Sequence, residues 1–472
     1  MCRLPWLLLC VACDEARDSA GDSDTDTDVD TDTDSGETAP PDTGTPPEDA
    51  RAVGIRWRLH ETIGSIVYVT WNQVVPGTSW VEVDVDGAWE ATPNTARKVG
   101  PAEQIVMGVP FDTAFDLRVL VDDGTATWSS SRREARTDAW PDGLPTPRIV
   151  ASNPEAWEPG GRFLLGSING REGGWVGGPY WMWILDRKGR MVWARQTPDR
   201  HWTLWATLAR NGTDVLWDEF TYWSDWDGGA SSKVHRWRLD GSEIAAYPTP
   251  GAHHAFVELP DDVLVWGAAS PVSESLMERD AGGTVRPVWS CTDFYEAIDV
   301  IGACQSNALF WNEAADSFLY SFYTNDFVLE VDRATGEVVR QFGHLAGSWS
   351  FDPEDAAFWW QHGVSYTPEG TLLLSTHSAE GNDELAVREY ALDDPARVLR
   401  QVWSFGVGLG VEARTNGEAT RLPGGNTLHN YGSGGILKEV TPEGEVVWQV
   451  TFDSTRLLGH ATWLENLYPL VP

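Results

Sequence analysis

An all-β chain, with a small β-sandwich followed by a six-bladed β-propeller, is predicted by three features of the sequence. A Gly- or Asp-bearing turn ahead of an outgoing apolar strand recurs six times at intervals of roughly 40 to 60 residues. Short alternating strands fill the region before the first copy, and 27 Trp among 472 residues supply large rings to fill space between sheets. No amphipathic helical pattern is long enough to compete, so helix content is expected to be low.

Taken in order, residues 1–13 read as a lipoprotein-type signal. Arg3 precedes the apolar run Leu4 to Ala12, and Cys13 follows two small residues as the expected lipidation site. Residues 14–50 hold fourteen Asp and Glu against one Arg, with Pro40-Pro41 and Pro46-Pro47, so acidic repulsion and proline predict an extended spacer. That tract carries much of the net charge of -37, and the remainder is still acidic. Duplex nucleic acid and anionic membrane surfaces are therefore expected to be poor partners, and membrane contact is expected only through the lipid anchor. An exported protein on the periplasmic or cell surface follows. Once Cys2, Cys10 and Cys13 are assigned to the signal and anchor, Cys291 and Cys304 remain. Thirteen residues apart in an oxidising compartment, they are expected to form a disulfide.

Residues 52–137 contain the alternating runs Gly54–Leu59, Ile66–Trp71, Trp80–Val85 and Phe115–Val121, a spacing that suits a sandwich of roughly 90 residues. This stretch resembles a fibronectin type III domain, with Phe115 where that family usually has Tyr. Asp138 to Pro147, carrying Pro141, Pro145 and Pro147, reads as the hinge.

From 148 to 472 the six turns are Asp186 to Gly189, Leu239 to Gly241, Gly282 to Thr284, Asp332 to Gly336, Asp393 to Arg397 and Thr441 to Gly444. Each copy has room for four strands, and six sheets about one axis dispose of their edges. The innermost strand of a blade lines the channel, so its opening residue approaches the axis. His254 and His362 each stand six positions before a Pro-bearing turn, at Pro260 and Pro368, and so occupy the same phase of two copies. The same alignment brings Gln305, Leu204 or Trp205, and Gly417 or Glu418 to this ring. A neutral imidazole is both nucleophile and base, and two at one spot define a candidate catalytic pocket. No metal is expected: His253 and His254 alternate faces on a strand, and no carboxylate is evident to complete a site. Phosphate-binding glycine loops, G-x-S-x-G and metalloprotease helices are absent.

His253-His254 with Leu259-Pro260, Val328 to Val338, Gln361-His362, Arg388 to Asp393, Arg421 to Leu428 and Leu467-Tyr468-Pro469 together resemble the bacterial arylsulfate sulfotransferase family over most of 148–472. The resemblance implies a six-bladed propeller that moves sulfate from a phenolic ester to a phenol acceptor through a sulfated histidine, without a nucleotide or other cofactor. It makes His362 the nucleophile, His254 the support of the sulfuryl oxygens and His253 a substitute for it. Where the family has a further His, this chain has Gln305, and where it has Arg, this chain has Tyr323. Arg388 is a candidate replacement cation, with a surface ion pair as the alternative role, while His377 and His429 read as ordinary strand residues. The two departures keep a second reading open, a non-catalytic propeller that binds a ligand in its channel.

Overall fold

The computed structural model describes residues 49–173, 176–223, 228–269, 273–452 and 456–472. Cys13, the signal and nearly all of the acidic spacer lie outside the described residues.

Alternation of buried and exposed side chains builds the first region. Ala52–Leu59, Val67–Gln73 and Gly100–Val106 form a three-stranded antiparallel sheet. Gly77–Val85 and Ala114–Asp122 centre a second sheet, flanked by shorter strands. The inward positions of both, among them Trp57, Val69, Trp71, Val81, Val83, Phe115, Leu117 and Val119, make one apolar core between them. Ile63, Ile66 and Met107 from this region join Leu165, Ile184 and Trp193 of the next in a shared cluster. Beside it, Asp86 takes both Lys188 and Arg190 at 2.7 Å.

Six further sheets follow in the β-propeller, antiparallel except where Ser350–Asp352 pairs parallel to the outer strand of the fifth. Reading outward from the centre, the second runs Ala206–Leu208, Val215–Glu219, Lys233–Trp237, Glu243–Pro248. The third runs Ala252–Leu259, Val263–Ala269, Glu274–Arg279, Val285–Ser290, and the fourth Ser306–Asn312, Ser317–Phe322, Phe327–Asp332, Val338–Gly343. The fifth runs Trp359–Tyr366, Leu372–His377, Leu385–Asp393, Val398–Phe405, and the sixth Glu418–Arg421, Thr427–Asn430, Ile436–Val440, Val446–Thr451. Each of the six sequence turns joins the third strand of a sheet to its fourth. Five place Gly at positive φ there, and at the fifth Arg397 takes that conformation instead, at φ 56°. Trp183, Trp193, Trp217, Trp266 and Trp448 are fully buried.

The first sheet departs from the contiguous pattern. Phe163–Asn169, Tyr180–Asp186 and Met191–Gln196 supply its outer three strands, and its innermost strand is Leu458–Leu464, from the end of the chain. Arg148–Ser152 in turn adds to the outer edge of the sixth sheet. The ring is thus fastened where first and last sheets meet by strands from both ends of the repeat region, which satisfies edges that a contiguous arrangement would leave open.

A candidate active site in the propeller channel

The openings of the six inner strands converge on a narrow passage. Its wall takes Gly459 and His460 from the first sheet, Leu204 and Trp205 ahead of the second, and His254 from the third. Asn307 and Ala308 of the fourth, His362 and Gly363 of the fifth, and Gly417 and Glu418 of the sixth complete it. On one side the passage widens to a cavity of about 240 Å³ whose walls are Trp223, Tyr323, Trp360, His254, His362, Thr415 and Asn416. His254 and His362, 108 positions apart in sequence, therefore share one cavity. Among the described residues, no Arg or Lys lines it.

His362 is presented by a distorted strand. Its pairing to Leu372–His377 shifts register on either side of His362, and both Trp360 (φ 49°) and Gly363 (φ 56°) are left-handed. A bulky non-glycine residue at positive φ is rare, and bulges of this kind re-aim a side chain. The distortion is held from both neighbours. Trp360 donates its backbone N–H to Asp326 at 2.6 Å, and buried Gln361 donates through Nε2 to Ser321 Oγ, Phe322 O and Phe327 O at 3.0 to 3.1 Å. A Cβ on Gly363 would lie 2.5 Å from Glu418 Cα, so glycine lets the fifth and sixth sheets close on each other. His362 Nδ1 lies 3.1 Å from the Trp360 carbonyl. A carbonyl only accepts, so Nδ1 carries the proton and Nε2 holds the lone pair. Burial lowers the pKa of the ring to about 4, with His377 adding to the effect and the Trp360 hydrogen bond opposing it.

His254 is held differently. Its Nδ1 hydrogen-bonds to Nδ1 of His253, and the rings meet edge to face with centroids 4.6 Å apart. His253, fully inside the wall, reaches Glu274 Oε1 through Nε2 at 3.1 Å. Glu274 is also buried, and accepts in addition from the Ser306 backbone N–H, the Ser306 hydroxyl and the Tyr320 hydroxyl. Burial pushes its carboxyl up, but His253, and after it the Ser306 and Tyr320 donors, hold it below the usual range. Burial, then the neighbouring His253 and His362, push the His254 pKa well down.

The other candidates separate. Gln305 does not open the fourth inner strand at the ring. That strand begins at Ser306 and shifts register before Ala308, so Asn307 and Ala308 take the position, while Gln305 turns to accept from the Tyr323 hydroxyl. Tyr323 does line the cavity, its pKa raised by burial to about 12 and so neutral. The two residues that stand where the resembled family has His and Arg are thus bonded to each other. Arg388 sits on the third strand of the fifth sheet, where it donates to the carbonyls of Asp355 (3.0 Å) and Ser378 (2.9 Å) and does not reach the channel. His377 bonds to the Ala413 carbonyl and His429 to Ser375 Oγ, both at 3.1 Å, and neither lines the cavity. Cys291 and Cys304 lie together beside the short helix Cys291–Ala297, with Cα atoms 6.4 Å apart.

Sequence reasoning offered Glu418 for the ring but passed over Glu274 and His460, the partner of Glu418. His460 Nδ1 contacts both Glu418 carboxylate oxygens at 2.7 and 2.8 Å and stacks on Trp205 at 4.0 Å. With it, three imidazoles enter the passage from alternate sheets. His460 was hidden because the first sheet's inner strand comes from the chain terminus. Glu274 was hidden because it lies two strands out from the histidines it supports.

No family model matches the sequence, and no curated protein matches it. Among solved structures, a protein of unknown function from Bacteroides caccae aligns at 16% identity and TM-score 0.43, covering 63% of this chain and 99% of that one. The β-propeller domain of Cps50 (Swd1) from Myceliophteria thermophila aligns at 13% and 0.37, covering 64% and 88%. A 6-phosphogluconolactonase-like protein from Bacteroides fragilis aligns at 13% and 0.37, covering 82% and 98%. Likenesses this distant say nothing of activity; the sheet order of the chain itself carries the propeller.

Proposed function

We propose that this chain is an exported arylsulfotransferase-like enzyme that transfers sulfate between phenolic esters with His362 as nucleophile. The observation that carries the reading is the tautomer of His362: Nδ1 is committed to the Trp360 carbonyl, the ring is neutral, and it lines a small aromatic cavity. At about 240 Å³ the cavity is below the roughly 300–1,000 Å³ of drug-sized sites and suits one substituted ring among Trp223, Tyr323 and Trp360. In the first step His362 Nε2 attacks sulfur, an N–S bond forms, and the S–O bond to the aryl group breaks with its electron pair leaving on the phenolate. In the second, the acceptor phenol oxygen attacks sulfur, its proton passes to His254, and the S–N bond breaks. The same reading takes Cys13 as the lipid anchor, the acidic tract as a spacer, residues 52–137 as a fibronectin III-like domain and Cys291–Cys304 as a disulfide.

A second reading, a propeller that binds an aromatic ligand without transforming it, is favoured by the neutral Gln305–Tyr323 pair and the lack of a lining cation among the described residues. Losing one stabilising donor from an oxyanion site costs about 100- to 1,000-fold. Incubation with an aryl sulfate and a phenol decides between them. Transfer to the acceptor, acid-labile sulfate on His362 and loss of both in His362→Ala support the enzyme. No phenol release from the parent removes it in favour of binding.

A further inference from the structure

The cavity wall offers rings and lone pairs where an anion site offers donors. Three of its donors are already spent within the protein. Trp223 gives its indole N–H to the His253 carbonyl at 3.3 Å, Tyr323 gives its hydroxyl to Gln305, and the Nδ1 proton of His362 faces the Trp360 carbonyl. These side chains then contribute two aromatic rings, the lone pairs of a phenol oxygen and the lone pair of His362 Nε2. Trp360 adds a third ring, and Asn416, which also lines the cavity, leaves its carboxamide oxygen without a partner among the described residues. No Arg or Lys lines the cavity among the described residues, and the internal segments outside them, 174–175, 224–227, 270–272 and 453–455, contain none in their sequence. Burial keeps both His362 and His254 uncharged at neutral pH.

Trp360 supplies an independent observation. Its indole is 44% exposed and stands beside the cavity on a backbone at φ 49°, a conformation that bulky residues rarely adopt and that gathers at ligand clamps. Asp326 holds the backbone there by accepting the Trp360 N–H, and the Tyr323 ring lies against the indole with centroids 5.9 Å apart. We infer that this cavity binds an organic cation, an alkylated or quaternary ammonium group held against the rings of Trp223, Tyr323 and Trp360. Such a group is apolar at its surface, so it enters an aromatic cavity at little cost and is drawn to the negative face of each ring. An anion meets no fixed positive charge there, and a small inorganic cation gives up more hydration than rings return. The inference deepens the transfer reading above and rests on it for one consequence only. A substrate carrying its own ammonium group brings to the site the positive charge that no wall side chain supplies.

Three probes of one shape and different charge, titrated calorimetrically into the full chain at fixed ionic strength, test this without any sulfate donor. Choline carries a trimethylammonium head, 3,3-dimethylbutan-1-ol the uncharged tert-butyl equivalent, and 3,3-dimethylbutanoate the same tert-butyl group with a carboxylate. Choline is expected to bind about 10-fold or more tighter than the alcohol, and the carboxylate weakest of the three. Trp360→Leu should lower choline affinity about 10-fold and bring it close to that of the alcohol, whereas Trp360→Phe, which keeps a ring, should retain most of it. Trp223→Leu gives the same comparison should Trp360→Leu fail to fold. The alcohol binding as tightly as choline, the carboxylate binding more tightly, no choline binding at millimolar concentration, or full choline affinity in a folded Leu variant each overturns the inference. The transfer assay is a separate measurement. Transfer without a preference for choline ends this inference and leaves the enzyme reading, and a preference for choline without transfer does the reverse.

Discussion

The inner strands of the third and fifth sheets, Ala252–Leu259 and Trp359–Tyr366, begin from the same sequence layout and hold their imidazoles by opposite means. In the fifth, the main chain does the holding: two left-handed residues bend the strand, and the Trp360 carbonyl takes the Nδ1 proton of His362. In the third, the residue after the histidine is Ala255 rather than a glycine, and the ring is governed by side chains, His253 and then Glu274. A backbone acceptor cannot itself gain a proton, whereas a histidine backed by a carboxylate can. On the proposed transfer reading the fifth strand presents a neutral nucleophile, while the third presents an imidazole backed by a buried carboxylate.

The largest contrast between the two strands is expected in the chemistry. On the proposed mechanism His362→Ala removes the group that bonds to sulfur and should lower transfer by about 10⁴-fold or more. His254→Ala, which removes only proton transfer and positioning, should cost about 10²- to 10⁴-fold. Initial rates of phenol release under identical donor and acceptor measure both, and equal losses would mean that the strands share one role.

A smaller contrast concerns the backbone. Gly363→Ala places a Cβ 2.5 Å from Glu418 Cα at φ 56° and should cost about 2–4 kcal/mol of stability. The matching change in the third strand, Ala255→Gly, should cost only about 1 kcal/mol. Urea unfolding midpoints compare the two directly.

The smallest effect lies in pH. His362, with a pKa of about 4, and His429, at about 3, both fall below the ordinary value of 6.5 because burial disfavours their charged forms. Above pH 6.5 each is neutral whether folded or unfolded. Between 6.5 and about 4 the unfolded chain binds protons that the fold refuses, so stability should decline as pH falls through that window. Melting temperatures from pH 7 to 4 should show this decline, and it should be shallower in His429→Gln. The acid limb of kcat/KM should lie near 4, well below the value for free imidazole, and His362 should remain nucleophilic throughout the neutral range.

Much of the architecture was legible because it repeats. Six turns with Gly or Asp at fixed distance from an apolar strand specify six sheets through local backbone preference alone, and the same phase points His254 and His362 inward. Where repetition failed, so did the reading. Gln305 was set at the ring by counting back from a turn, but a register shift in its strand hands that place to Asn307 and Ala308. Arg388 looked available as a cation, yet two backbone carbonyls already hold it.

Local sequence determined the strands, their turns and the inward phase of two histidines, since these depend on φ/ψ preference and on period-two alternation over a few residues. Tertiary structure alone decided that Leu458–Leu464 closes the first sheet and brings His460 to the passage, that Glu274 backs His253, and that Gln305 pairs with Tyr323. Each of those contacts joins residues that are distant in sequence or on different strands, and a hydrogen bond leaves no periodic trace in the chain that makes it.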